Sequence, residues 1–100
     1  MKPSDVKQAI IKELYTLGDA LEGYRVFLFG SRATDNARSR SDFDIGVMGT
    51  QAMPLKLFYH IEDQFDKIET LYTIDWVDLT QTSPSFREEA LKQVEVLYEG

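Results

Sequence analysis

The chain contains no cysteine, one histidine and one tryptophan. Without cysteine there are no disulfides and no thiolate metal sites, a usage that suits the cytoplasm. The lone His60 has nothing to pair with and reads as an ordinary surface residue. No hydrophobic run approaches the length that crosses a bilayer, so no membrane partner is expected. The opening MKPSDVKQAI lacks the apolar stretch and small-residue cleavage site of a secretory signal. Positive charge is scarce: Lys plus Arg number 11 against 17 Asp plus Glu, for a net charge of -6. That balance argues against direct gripping of a nucleic-acid backbone. No repeat, low-complexity stretch or linker divides the chain, so residues 1–100 are expected to form a single domain. A hydrophobic content of 43% suffices for a real core.

The apolar pattern gives the elements. Ser4 is placed to cap a first helix, with Asp5 at its positive end. Val6, Ile10, Leu14, Leu17 and Leu21 form its stripe, and either Gly18 or Gly23 ends it. Residues 24–29, YRVFLF, are rich in strand formers and almost wholly apolar, the mark of a central strand covered on both faces. Gly30 stops that strand, and a polar loop runs to Ser41. The second strand, Phe43 to Met48, alternates. Phe43, Ile45 and Val47 point one way, and Asp44, Gly46 and Met48 the other, with Asp42 just before them on that side. Pro54 opens a second helix with the stripe Leu55, Phe58, Ile61, Phe65 and Ile68. A third strand is expected over roughly Leu71 to Leu79. Ser83-Pro84 starts a third helix with the stripe Phe86, Ala90 and Val94. The tail Val94 to Tyr98 is either a last turn or a short edge strand. The fold class is α/β (α+β): a small mixed sheet flanked by helices.

Chemistry concentrates in residues 28–47. Asp42 and Asp44, at i and i+2, share one face of a strand. At roughly 6 Å and an effective dielectric of about 20, their repulsion is on the order of 3 kcal/mol. Magnesium removes that problem, because it takes oxygen ligands, accepts one or two carboxylates and leaves room for phosphate and water. Two such ions can clamp the attacking and leaving oxygens of a nucleotidyl transfer. A third carboxylate is wanted from a neighbouring strand, and "TIDWVDLT" offers Asp75 and Asp78. If Asp75 faces the metals, Ile74 and Trp76 enter the core, with Asp78 on their side at the strand end. The opposite choice exposes Ile74 and Trp76 and buries Asp75 without a partner, which is costly. Asp75 is therefore the choice, both as a metal ligand and as a group helping to accept the proton of an incoming hydroxyl. Gly30 lets the backbone turn and a ligand approach the amides. Ser31 adds a hydroxyl to an anion cradle if a helical turn starts there. Between Gly30 and Ser41 stand Arg32, Arg38 and Arg40 against Asp35 alone, a loop of charge +2 in an acidic molecule. Arg32, adjacent to the cradle, is the leading phosphate contact; the roles of Arg38 and Arg40 are left open.

Gly30-Ser31, ten residues, then Asp42-Phe43-Asp44 resembles the G-S-x10-D-x-D signature of the polymerase-β-like nucleotidyltransferases. With "IDWVDL" and "SPSFREEALKQVEVLY" downstream, nearly the whole chain resembles a minimal nucleotidyltransferase (MNT) domain, of the MntA-type antitoxins in HEPN/MNT toxin–antitoxin pairs. The resemblance implies that Gly30 and Ser31 hold the triphosphate of ATP. It implies that Asp42 and Asp44 hold two Mg2+ ions, and that Asp75 is the third catalytic carboxylate. It implies a HEPN-domain protein, encoded next door, as partner in a hetero-oligomer (a homodimer being the alternative), with AMP passing to a tyrosine near its ribonuclease site. Two other readings stand beside this one: a non-catalytic antitoxin that works by occlusion, and a transferase acting on a small molecule.

Overall fold

The computed structural model describes residues 2–30 and 42–100. The loop carrying Ser31, Arg32, Arg38 and Arg40 lies outside the described residues.

The first helix, α1, spans Pro3–Leu17 and buries Val6, Ile10 and Leu14. Its cap is Lys2 rather than Ser4, because Pro3, with its fixed φ and missing N–H, takes the first helical position. Asp5 then reaches back to accept the Lys2 backbone N–H at 3.0 Å. Both candidate stop glycines are used. Gly18 (φ 51°) ends α1, a 3-10 turn over Gly18–Leu21 follows, and Gly23 (φ 84°) turns the chain into the sheet.

Four strands follow: β1 (Tyr24–Phe29), β2 (Phe43–Gly49), β3 (Ile74–Asp78) and β4 (Glu95–Glu99). Between them lie α2 (Leu55–Asp66) and α3 (Pro84–Ala90). The sheet order is β3-β2-β1-β4, with β1 antiparallel to β2 and β4, and β2 parallel to β3 across the α2 crossover. Val26 to Phe29 are all buried, as a central strand requires. The tail is an edge strand, not a helical turn. The third strand is shorter than its apolar run: Leu71 lies outside it, fully exposed.

One face of the sheet carries Val26, Leu28, Phe43, Ile45, Val47, Trp76 and Leu97, packed against Ile10 and Leu14 of α1 and Ile61 and Phe65 of α2. The expected α2 stripe is correct in Ile61 and Phe65 but not in Leu55, which is 61% exposed at the helix start. The other face is a smaller cluster of Phe27, Phe29 and Leu79, flanked by Val77, Ala90, Leu91 and Val94. Its lid is α3, capped by Ser83, whose Oγ accepts the Phe86 backbone N–H at 3.3 Å.

Candidate active site

The site grows from strand register. Gly30 directly follows the last residue of β1, while Asp44 and Asp75 are the second residues of β2 and β3. Antiparallel pairing sets Phe29 against Asp44, and parallel pairing sets Asp44 against Asp75. Alternation then directs Phe29, Asp44 and Asp75 to the same sheet face, the one that α3 partly covers. Asp42 precedes β2 and is exposed. Two carboxylates on adjacent strands thus stand side by side, with a third two residues away and a glycine across from them.

The electrostatics follow. The Asp44 carboxyl is pushed up from 3.8 to about 6, first by its burial, then by the charge of Asp75 and a hydrogen bond with it, and last by the charge of Asp42. Like charges crowded together disfavour double ionisation, as does removal from water. The stronger coupling runs between strands, Asp44 to Asp75, rather than along one strand between Asp42 and Asp44. Among the described residues, no three carboxylate or imidazole side chains are gathered into a ready-made metal cage. Magnesium needs less than that, since it is usually bound through one or two carboxylates, waters and substrate phosphates.

Gly30 has φ 71°, which favours glycine. A Cβ there would fall 2.3 Å from Asp44 Oδ2, so the missing side chain makes room for that carboxylate. Gly46 plays a similar part behind the site. Its absent Cβ would lie 2.6 Å from Leu79 Cδ1 and 3.2 Å from Phe29 Cε1, so both side chains close over β2 just beyond Asp44. A lone glycine inside an alternating strand signals such close approach, yet its occupants, Phe29 of β1 and Leu79 just beyond β3, are distant in sequence and no local pattern identifies them.

Asp78 has a different role. It is the buried charged residue among those described, 7% exposed on the Trp76 side of β3. Its Oδ2 accepts from the Met53 N–H at 2.8 Å and Gln81 Nε2 at 3.2 Å, and its Oδ1 accepts from the Thr80 N–H at 3.0 Å. All of these bonds are structural. Exposed His60 stands apart on α2.

With this geometry in place, comparison with known proteins defines the class. Residues 16–100 match the family model for polymerase beta nucleotidyltransferases. The chain belongs to that family and is a nucleotidyltransferase. It is 28% identical over 91 residues to the probable protein adenylyltransferase MntA of Haemophilus influenzae, covering 91% of this chain and 78% of that protein. A toxin–antitoxin crystal structure with AMP-PNP contains a chain of the same fold, with TM-score 0.68, 22% identity, and coverage of 94% of this chain and 73% of that one. A complex of tri-AMPylated Shewanella oneidensis HEPN toxin with MNT antitoxin gives TM-score 0.64, 20% identity, and coverage of 97% and 72%.

Proposed function

We propose that the chain transfers AMP from ATP to a tyrosine hydroxyl of a HEPN-domain partner in the cytoplasm, and thereby acts as an antitoxin. The observation that carries this reading is the Asp44–Asp75 pair beside Gly30 in a chain of the nucleotidyltransferase family. The adenylyltransferase name of the Haemophilus relative and the AMPylated HEPN toxin of the Shewanella complex support the choice of group and acceptor.

The donors fit magnesium. Asp42, Asp44 and Asp75 offer hard oxygen atoms alone, and a cation would offset the burial and the carboxylate repulsion that together raise the Asp44 pKa. The Asp44–Asp75 pair would hold the metal, with exposed Asp42 as the further ligand, and two ions there would supply charge stabilisation at the attacking and leaving oxygens. The chain does the rest. Gly30 leaves room at the strand end for the Asp44 carboxylate, and Gly30, Ser31 and Arg32 would contact the triphosphate. The tyrosine oxygen forms its bond to the α-phosphorus, pyrophosphate leaves, and Asp75 takes the hydroxyl proton.

Incubation with Mg2+, α-labelled ATP and the HEPN protein encoded beside this chain should place label on that protein. The double variant Asp42→Asn, Asp44→Asn should place none and should fail to neutralise the toxin. A double variant that still neutralises would instead establish occlusion.

A further inference from the structure

Phe86 stands out on the active-site face. It lies in the first turn of α3 and is 47% exposed, although its ring meets Phe29 edge-on with centroids 6.3 Å apart. Phe29 is the cross-strand neighbour of Asp44, and its ring leans over Gly46 toward Leu79. An apolar wall therefore begins immediately behind the carboxylates, and Phe86 is its solvent-facing end.

The mount of this ring is firm. Arg87, the next residue, donates from Nε to the Leu79 carbonyl at 2.8 Å and from Nη2 to the carbonyls of Thr80 and Thr82 at 2.9 and 3.1 Å. Ser83 caps the same turn, and Ala90 and Leu91 pack on the Phe27, Phe29 and Leu79 cluster. An aromatic ring held this way loses little freedom when a flat ligand covers it.

We infer that Phe86 is the platform on which the base of the nucleoside triphosphate stacks, the apolar wall from Phe29 to Phe86 forming the base side of the site and the carboxylates its phosphate side. This inference rests on the nucleotidyl-transfer reading above. A nucleotide is itself divided in this way, with a charged phosphate end and, one ribose away, a flat apolar-faced ring. Aromatic side chains hold bases through their π-faces with little regard to base identity. The platform therefore provides affinity for nucleotides over bare polyphosphate, and only weak discrimination among bases.

The test measures binding of ATP and of inorganic tripolyphosphate, each with Mg2+, to the wild type, Phe86→Leu and Phe86→Trp. Leucine keeps apolar packing on Phe29 but removes the π-face, so the fold is retained. Phe86→Leu should bind ATP about tenfold more weakly, with tripolyphosphate binding unchanged and Phe86→Trp close to wild type. Equal ATP affinity in the wild type and Phe86→Leu overturns the inference alone. So does a Phe86→Leu defect confined to labelling of the protein acceptor, which would assign the ring to partner docking. A wild type that binds neither ATP nor tripolyphosphate overturns the nucleotidyl-transfer reading itself.

Discussion

Among the described residues, Asp44 bears the main electrostatic tension. Its pKa of about 6 means that the folded chain holds this proton more tightly than the unfolded chain, where the value is near 3.8. The protonated carboxyl therefore contributes stability that is fully present below pH 3.8 and is lost as pH rises through about 6. Asp44→Asn removes the burial of a charge, and its repulsion by Asp75 and Asp42, at neutral pH. In metal-free buffer at pH 7.5 it should raise stability by about 1 kcal/mol, a figure reduced from the full shift because the group is partly solvated. Below pH 4 it should have almost no effect. Urea melts at both pH values measure this, and a clear loss at pH 7.5 would make Asp44 a structural acceptor instead. Asp78, three residues beyond Asp75, shows the opposite economy. Asp78→Ala strands three donors, Met53 N–H, Thr80 N–H and Gln81 Nε2, and should cost about 3 kcal/mol in the same melts. Carboxylates of one short strand thus meet two surroundings, Asp75 the Asp44 corner and Asp78 the buried donors, according to the face on which each lies.

Strand alternation is the part of this architecture that a reader of the sequence can recover. Phe43, Ile45 and Val47 enter the core, which leaves Asp44 on the opposite face, and the same rule selects Asp75 over Asp78 because Trp76 must be buried. The signals that failed were those decided by distant contacts or by competing local rules. Ser4 is a good capping residue, but Pro3 ahead of it already fits the first helical turn, so the helix starts sooner. Leu55 keeps the helical spacing of its stripe yet sits at an exposed helix start, where no second layer reaches it. Val94 to Tyr98 carries strand formers in a segment too short to favour one state, and pairing with β1 settles it. Phe86 fits a helical stripe equally well as core or as platform. Its exposure follows from α3 covering only part of its sheet face, which no local pattern encodes.

The whole molecule is a sheet with unequal faces. One is sealed by α1 and α2; the other is lidded by α3 and ends in the acidic corner. The core thus supports the acidic corner from behind. No helix among the described residues is long and apolar enough to cross a membrane. The net charge of -6 opposes a triphosphate, an opposition that the proposed cation site and the +2 charge of the sequence between Gly30 and Ser41 would offset locally. The decisive observation is where a divalent ion and a triphosphate settle on this surface. Crystals grown with Mn2+ and a non-hydrolysable ATP analogue locate the ion by its anomalous scattering. The ion should lie on the Asp44 carboxylate with a ligand from Asp42 or Asp75 and oxygens of the analogue's phosphates. Nucleotide bound with its phosphates away from this corner, or an ion that ignores Asp44, would contradict the catalytic role given to these carboxylates.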